Sequence, residues 1–187
     1  MRSAAINACL LLFVLGYCAT AQTLPSKIRG YKLYDAKVLV SSTFDTSGRS
    51  KNDAAVTILD PAVTDISLSG AIVEVGAEIT ALTQSGNVDF MTCSNLRVNG
   101  VAIEIEEYAH PFKFKEGEKI TLPQPARITI NFANIAKAAY KELTDPKNDW
   151  AVTGTIFVFG KFKRLGMTLK RVIPVKIDLK IKNPLRS

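Results

Sequence analysis

Between Arg171 and Lys182 the chain alternates. Ile173, Val175, Ile177, Leu179 and Ile181 fall on one parity, and Lys176, Asp178, Lys180 and Lys182 on the other. Period two is the pattern of a β-strand with one packed face and one wet face. A disordered basic arm has no reason to alternate, so this segment reads as a strand whose wet face is covered in lysine. From Lys32 onward, runs rich in Val, Ile, Thr and Phe predict further strands over 34–43, 54–59, 63–68, 72–83, 88–98 and 101–108. More follow over 112–115, 119–122, 127–132 and 151–163, before the last at 167–182. Turn dipeptides separate them: Asp60-Pro61, Ser69-Gly70, Gly86-Asn87, Asn99-Gly100, Glu116-Gly117 and Leu165-Gly166. The clearest is N-L-R-V-N-G-V-A-I-E-I, because Asn99 and Gly100 tolerate the positive φ of a two-residue type I′ hairpin turn.

One segment departs from period two. In N-I-A-K-A-A-Y-K-E-L-T, Ile135, Ala139 and Leu143 recur every four residues, with Asn134 as N-cap and Asp145-Pro146 as the stop. This predicts a short amphipathic helix over 134–144, lying across one end of the strands with that apolar face inward. The fold class expected is all-β: an antiparallel sandwich with one short helix.

The N-terminus changes the picture of where the protein works. Arg2, the apolar run Ala8–Leu15 and the small residues Ala19 and Ala21 have the layout of a secretory signal peptide, cleaved after Ala21. Residues 1–21 are therefore set aside as signal, 22–61 as a polar lead-in with additional strands, and 62–187 as the main sandwich of the same domain. The expected compartment is periplasmic or extracellular. Cys9 and Cys18 leave with the signal, so Cys93 stands alone, expected as a buried small side chain, and packing rather than disulfides holds the fold.

Charge changes it again. Residues 161–187 hold nine Lys or Arg against the single acid Asp178, more than the whole basic excess of a chain with formal net charge +7. Lysine on a strand guards against edge pairing, and it also makes a surface that attracts anions. Lys176, Lys180 and Lys182 are the candidate basic contact face. Its partners would be client proteins or an anionic membrane surface; nucleic acid is not expected for an exported chain.

Catalytic chemistry finds no foothold. His110 is the only histidine, so with one Cys in the mature chain no ordinary zinc set assembles, and no G-x-S-x-G elbow accompanies it. F-D-T-S-G at 44–48 lacks the uninterrupted D-T-G and the second carboxylate that aspartic protease chemistry needs. Glu104, Glu106 and Glu107 read as a wet strand face, and Asp145, Asn148 and Asp149 as a helix exit rather than an EF-hand loop. Trp150 opens a strand and reads as core. Phe157, Phe159 and Phe162 beside Lys161, Lys163 and Arg164 read as a buried strand rather than a base-stacking platform. No enzyme and no cofactor is expected.

The order of pieces also carries a resemblance. A-V-T-D-I-S-L-S-G-A-I-V-E-V-G-A-E-I, then L-R-V-N-G-V-A-I, R-I-T-I-N-F, one helix, W-A-V-T-G-T-I-F-V and a final I-P-V strand resemble the LEA type 2 family. That family is also called the water-stress and hypersensitive-response (WHy) domain, and the resemblance spans roughly residues 62–182. Where family members carry an Asn-Pro-Asn turn after the second strand, this chain carries Gln84-Ser85-Gly86-Asn87. The resemblance implies an immunoglobulin- or fibronectin type III-like sandwich and a non-enzymatic role in desiccation and stress protection, with no catalytic residue. The alternative expectation is an envelope or extracellular module that docks one acidic protein.

Overall fold

The computed structural model describes residues 24–42, 54–81, 83–164 and 166–183. The segment expected as a signal peptide, Cys9, Cys18, Thr43 and the F-D-T-S-G stretch lie outside them.

The strands run in chain order β1 (Lys27–Ile28), β2 (Tyr31–Leu33), β3 (Val38–Ser42), β4 (Ala54–Ile58), β5 (Ala62–Ser67), β6 (Gly70–Val75), β7 (Ala77–Ala81) and β8 (Ser85–Val98). Then come β9 (Val101–Ala102), β10 (Glu104–Ile105), β11 (Phe112–Phe114), β12 (Lys119–Thr121) and β13 (Ala126–Asn131), the helix α1 (Phe132–Thr144), β14 (Asp149–Arg164) and β15 (Met167–Lys182). One layer is the large sheet β1-β2-β15-β14-β8-β11, with β9 on β8; the other consists of two smaller sheets, β12-β7-β4-β3 and β10-β13-β6-β5. The run expected as one strand over 72–83 divides at Gly76, so β6 and β7 serve different sheets. The run over 101–108 divides at Ile103, where the chain passes from the large sheet to the smaller one. These are sandwich corners, where a strand changes sheets.

Most pairs are antiparallel, as expected, but β3 runs parallel to β4 and β2 parallel to β15. The second of these comes from the stretch read as a polar lead-in. Lys27 to Leu33 folds as a hairpin through Arg29 and Gly30, both at positive φ (48° and 79°), and lies along the free edge of β15. The hairpin at Asn99-Gly100 has the expected turn, with φ 48° and 80°.

The core follows the alternation. Ile173, Val175, Ile177 and Leu179 are buried, while Lys176, Asp178 and Lys180 are exposed. The inward side chains meet Val88, Phe112, Phe114 and Phe162 at one end and Leu96 at the other, each contributing roughly 1.5–3 kcal/mol on burial. The even parity is not wholly wet, however. Val172 is fully buried on the opposite face, in a second cluster with Tyr31 and Phe159.

The helix corrects two expectations. It starts earlier, with Asn131 as N-cap: its Oδ1 accepts from the Asn134 backbone N–H at 2.9 Å. Two of its three spaced apolar positions also face solvent. The half-buried stripe is Asn134, Ile135, Ala138, Lys141 and Glu142, whereas Ala139 is exposed and Leu143 is 84% exposed. The physical reason is polar docking. Asn134 Nδ2 donates to the Ala102 carbonyl at 2.9 Å and Lys141 Nζ to the Asn99 carbonyl at 2.5 Å, while Glu142 accepts from Trp150 Nε1 at 3.2 Å and Asn183 Nδ2 at 2.6 Å. Hydrogen bonds to partners on neighbouring elements choose the inward face here, and the helix does close one end of the sandwich. Trp150, expected as core, is half-buried by this contact.

Candidate anion-facing surface

Cross-strand partners share a face of a sheet, so the register of the large sheet gives the composition of its outer face row by row. Lys113 of β11 stands opposite Asn87 of β8, Asn87 opposite Lys161 of β14, and Lys161 opposite Lys170 of β15. The next row toward that end is Ser85, Lys163 and Thr168. Lys113, Lys161, Lys163 and Lys170 are all exposed. Four lysines thus share one end of the outer face, and two of them stand directly opposite each other, an arrangement that costs stability unless something offsets it. One offset is visible: Lys170 Nζ lies 4.2 Å from the centroid of the Tyr31 ring.

Beside this end, on the same outer face, lies the second apolar cluster. Phe159 stacks on Phe90 with centroids 4.4 Å apart, and Tyr31 meets both rings edge-on, at 5.2 Å from Phe159 and 5.9 Å from Phe90. Arg29 lies over Phe90 at 5.5 Å and pairs with Glu107 at 2.5 Å. The acid beside the lysine row, Asp89, is engaged locally: its Oδ2 accepts from Tyr31 OH at 2.9 Å and its Oδ1 from Asn87 Nδ2 at 3.1 Å. Burial first, then the hydrogen bond and charge of Asp89, hold the Tyr31 hydroxyl above its ordinary pKa, so it stays a donor.

Toward the helix end, the same face carries Lys176 opposite Thr155, Asp178 opposite Thr153 and Lys180 opposite Ala151. Lys176 and Lys180 are exposed, as their parity requires, with Asp178 between them. The Lys182 backbone pairs with Asp149; its side chain lies outside the description. The candidate trio is therefore one end of a longer face. Lys170 and Lys176 are separated by about 20 Å of strand, with the aromatic cluster between. Reasoning from sequence counted Lys161, Lys163 and Lys170 in the basic excess without placing them. The Leu165-Gly166 turn was the available signal, because a hairpin there sets Lys161 opposite Lys170. Lys113 had no such signal, since its place depends on the non-local pairing of β11 with β8.

The remaining candidates are accounted for by structure. His110 stands edge-on to Tyr108 at 5.2 Å, in a shallow groove of about 110 Å³ that also holds Glu74, Glu106, Glu107 and Arg127. Glu107 is paired with Arg29, and Glu74 lies 4.0 Å from Arg127. Asp145 is 3.4 Å from Lys147. Among the described residues, no group of three His, Cys, Asp or Glu is placed to hold a metal ion.

Cys93, paired with Ile156, is half-buried on the inner face, where burial pushes its thiol from 9.0 up to about 11. At pH 8 the folded thiol is then roughly 0.1% thiolate, the nucleophilic form. In the native protein it is expected to resist iodoacetamide at pH 8 and to react readily once unfolded, as read by peptide mapping; rapid native labelling would contradict the burial. The folded thiol keeps its proton to higher pH than the unfolded one. Its contribution to stability is thus intact below pH 9 and is lost as pH rises through about 11.

No family model matches the chain, and no curated protein matches it in sequence. The similar solved structures include these two. A protein from Archaeoglobus fulgidus matches with a TM-score of 0.40 at 10% identity, covering 67% of this chain and 94% of that one. A protein described as late embryogenesis abundant (LEA), solved in solution, matches with a TM-score of 0.28 at 10% identity, covering 70% of this chain and 72% of that one. Both are likenesses of fold alone.

Proposed function

We infer that this is a non-enzymatic stress- and desiccation-protection protein of the LEA type 2 (WHy domain) kind, exported through the secretory pathway. It acts by weak contacts with client proteins or a membrane surface. The observation that carries the reading is the row Lys113–Asn87–Lys161–Lys170, with Lys163 beside it, on the solvent face of the large sheet. A guarded edge needs lysine only on edge strands, yet Lys161 and Lys163 belong to β14, which is paired on both sides. Lysines on the face of an interior strand, one of them opposite another lysine, are placed where they cost stability and attract anions. The sandwich with one helix, in the order that resembles LEA type 2, supports the same reading.

Exposed lysines on a rigid sheet contact anions weakly and without specificity, and salt screens them. That suits a protein that must touch many surfaces and release them. The test replaces Lys113, Lys161 and Lys163 with Gln, leaving Lys170 on the Tyr31 ring. A second variant replaces Lys176, Lys180 and Lys182. The melting temperature is expected to stay within a few degrees of wild type. Binding to anionic vesicles or acidic client proteins at low salt is expected to fall roughly 100-fold for the first triple, and survival of a model enzyme through drying is expected to fall with it. Variants that bind and protect like wild type would reduce these lysines to a solvated strand face.

A further inference from the structure

The helix α1 turns its apolar side to solvent. Phe132 is 63%, Tyr140 70% and Leu143 84% exposed, with the exposed Ala136 and Ala139 between them. At about 100° per residue, these five positions form one continuous stripe, nearly opposite the polar residues that dock the helix. The stripe extends beyond the helix. Phe132 N–H donates to the Ser69 carbonyl at 3.0 Å, which brings the helix start to the β5–β6 turn, and there Leu68 is fully exposed. Large apolar side chains gathered at one corner mark a contact surface rather than scattered exposure.

We propose that this stripe, with Leu68, seats the protein on the headgroup layer of an anionic bilayer, the helix lying flat with Phe132, Tyr140 and Leu143 among the upper acyl chains. Charge favours that occupant. The only acid of α1, Glu142, is turned inward onto Trp150 and Asn183, so the outward surface of the helix carries the exposed Lys137 and no carboxylate. An apolar face flanked by lysine, with aromatic residues at its borders, is the pattern of a helix that lies in a membrane interface. Size argues against a second copy of the chain. A helix of 13 residues offers a stripe on the order of 200 Å², well below the roughly 800 Å² per partner of a stable dimer. Nor does the helix span: among the described residues, no helix is long and apolar enough to cross a membrane. The stripe uses none of the lysines of the outer sheet face, so either surface can fail its test without the other.

The experiment adds one tryptophan to the full-length chain and keeps Trp150, whose contact with Glu142 helps seat the helix, its signal being read from the wild-type chain. One version carries Leu143→Trp, and the other carries Glu116→Trp in the exposed β11–β12 turn at the opposite end of the sandwich. Each is mixed with phosphatidylcholine vesicles with or without phosphatidylglycerol, containing brominated acyl chains. Any tethering by the apolar run Ala8–Leu15 is common to both chains. The expected result is a blue shift and quenching at position 143, stronger with phosphatidylglycerol, and neither at position 116. Phe132→Ser with Leu143→Ser should lower vesicle partitioning by about tenfold or more, equivalent to ~1.4 kcal/mol, with the circular dichroism spectrum unchanged. The proposal is overturned if position 143 is unquenched, or if both positions are quenched alike. It is also overturned if sedimentation shows a wild-type dimer that the double serine variant dissolves, in which case a second copy covers the stripe.

Discussion

Phe159→Ala is expected to destabilise the protein by roughly 3–5 kcal/mol, the range for a large aromatic removed from a packed interior. In a chain of this size that lowers the melting temperature by roughly 10 °C or more. The expectation is sharp because Phe159 lies on the outer face of β14, the face that alternation assigns to water. There it is 1% exposed, stacked on Phe90 and closed over by Tyr31 of the N-terminal hairpin. Val172 beside it is fully buried. If the hairpin β1–β2 did not dock, Phe159 would be a half-exposed strand residue and its loss would cost about 1 kcal/mol or less. Urea denaturation of Phe159→Ala and Tyr31→Ala separates the two cases. Hydrogen exchange at Lys27–Leu33 should also accelerate in Phe159→Ala, because the hairpin loses the ring on which it rests.

That cluster marks the limit of what periodicity can tell. Alternation along β15 found the inner face correctly, since Ile173 to Leu179 are buried at every odd position. It found the strands and the Asn99-Gly100 turn for the same reason: each is decided by residues adjacent in sequence. Val172 was missed because its cover comes from Ile28, Tyr31 and Leu33, more than a hundred residues away. A one-residue alternation cannot report a second layer on the wet side. The strand divisions at Gly76 and Ile103 were missed on similar grounds, because a strand that changes sheets keeps its local alternation.

The orientation of the helix is a more instructive case. The existence and the stop of the helix followed from spacing, but the way it faces did not. The apolar positions were assumed to seek the interior, whereas the inward side is chosen by the carbonyls of Asn99 and Ala102 and by Trp150 and Asn183. Those partners lie on the β8–β9 hairpin, at the start of β14 and just after β15, and no helical period encodes them. The candidate surface divides along the same line. Lys176 and Lys180 were legible because their parity is a local fact. The row through Lys113, Lys161 and Lys170 required three strand pairings, and only that of β14 with β15 is local.

Gly160→Ala should be as damaging as the loss of Phe159, although it adds a single methyl group. Gly160 is buried toward the C-terminal end of β14, next to the register shift where Phe159 pairs with Phe90 and Gly160 with Val88. A Cβ at this position would lie 2.4 Å from the Asn87 carbonyl oxygen and 3.1 Å from the Val88 Cα. Both are backbone atoms of the neighbouring strand, so no side chain can rotate out of the way. Relief requires β8 and β14 to move apart, breaking ladder bonds beneath the lysine row and shifting Phe159 off Phe90. Overpacking of this kind typically costs 1–3 kcal/mol and more where backbone must yield, so a loss of roughly 3 kcal/mol or more in urea denaturation is expected. Gly117→Ala provides the contrast. It has φ +77° with nothing within 4 Å of the added Cβ, so only the left-handed backbone penalises it, by about 1–2 kcal/mol. If Gly160→Ala were the milder of the two, the close approach of β8 and β14 would be wrong. The register that sets Lys161 opposite Asn87 and Lys170, and with it the anion-facing row, would fall as well.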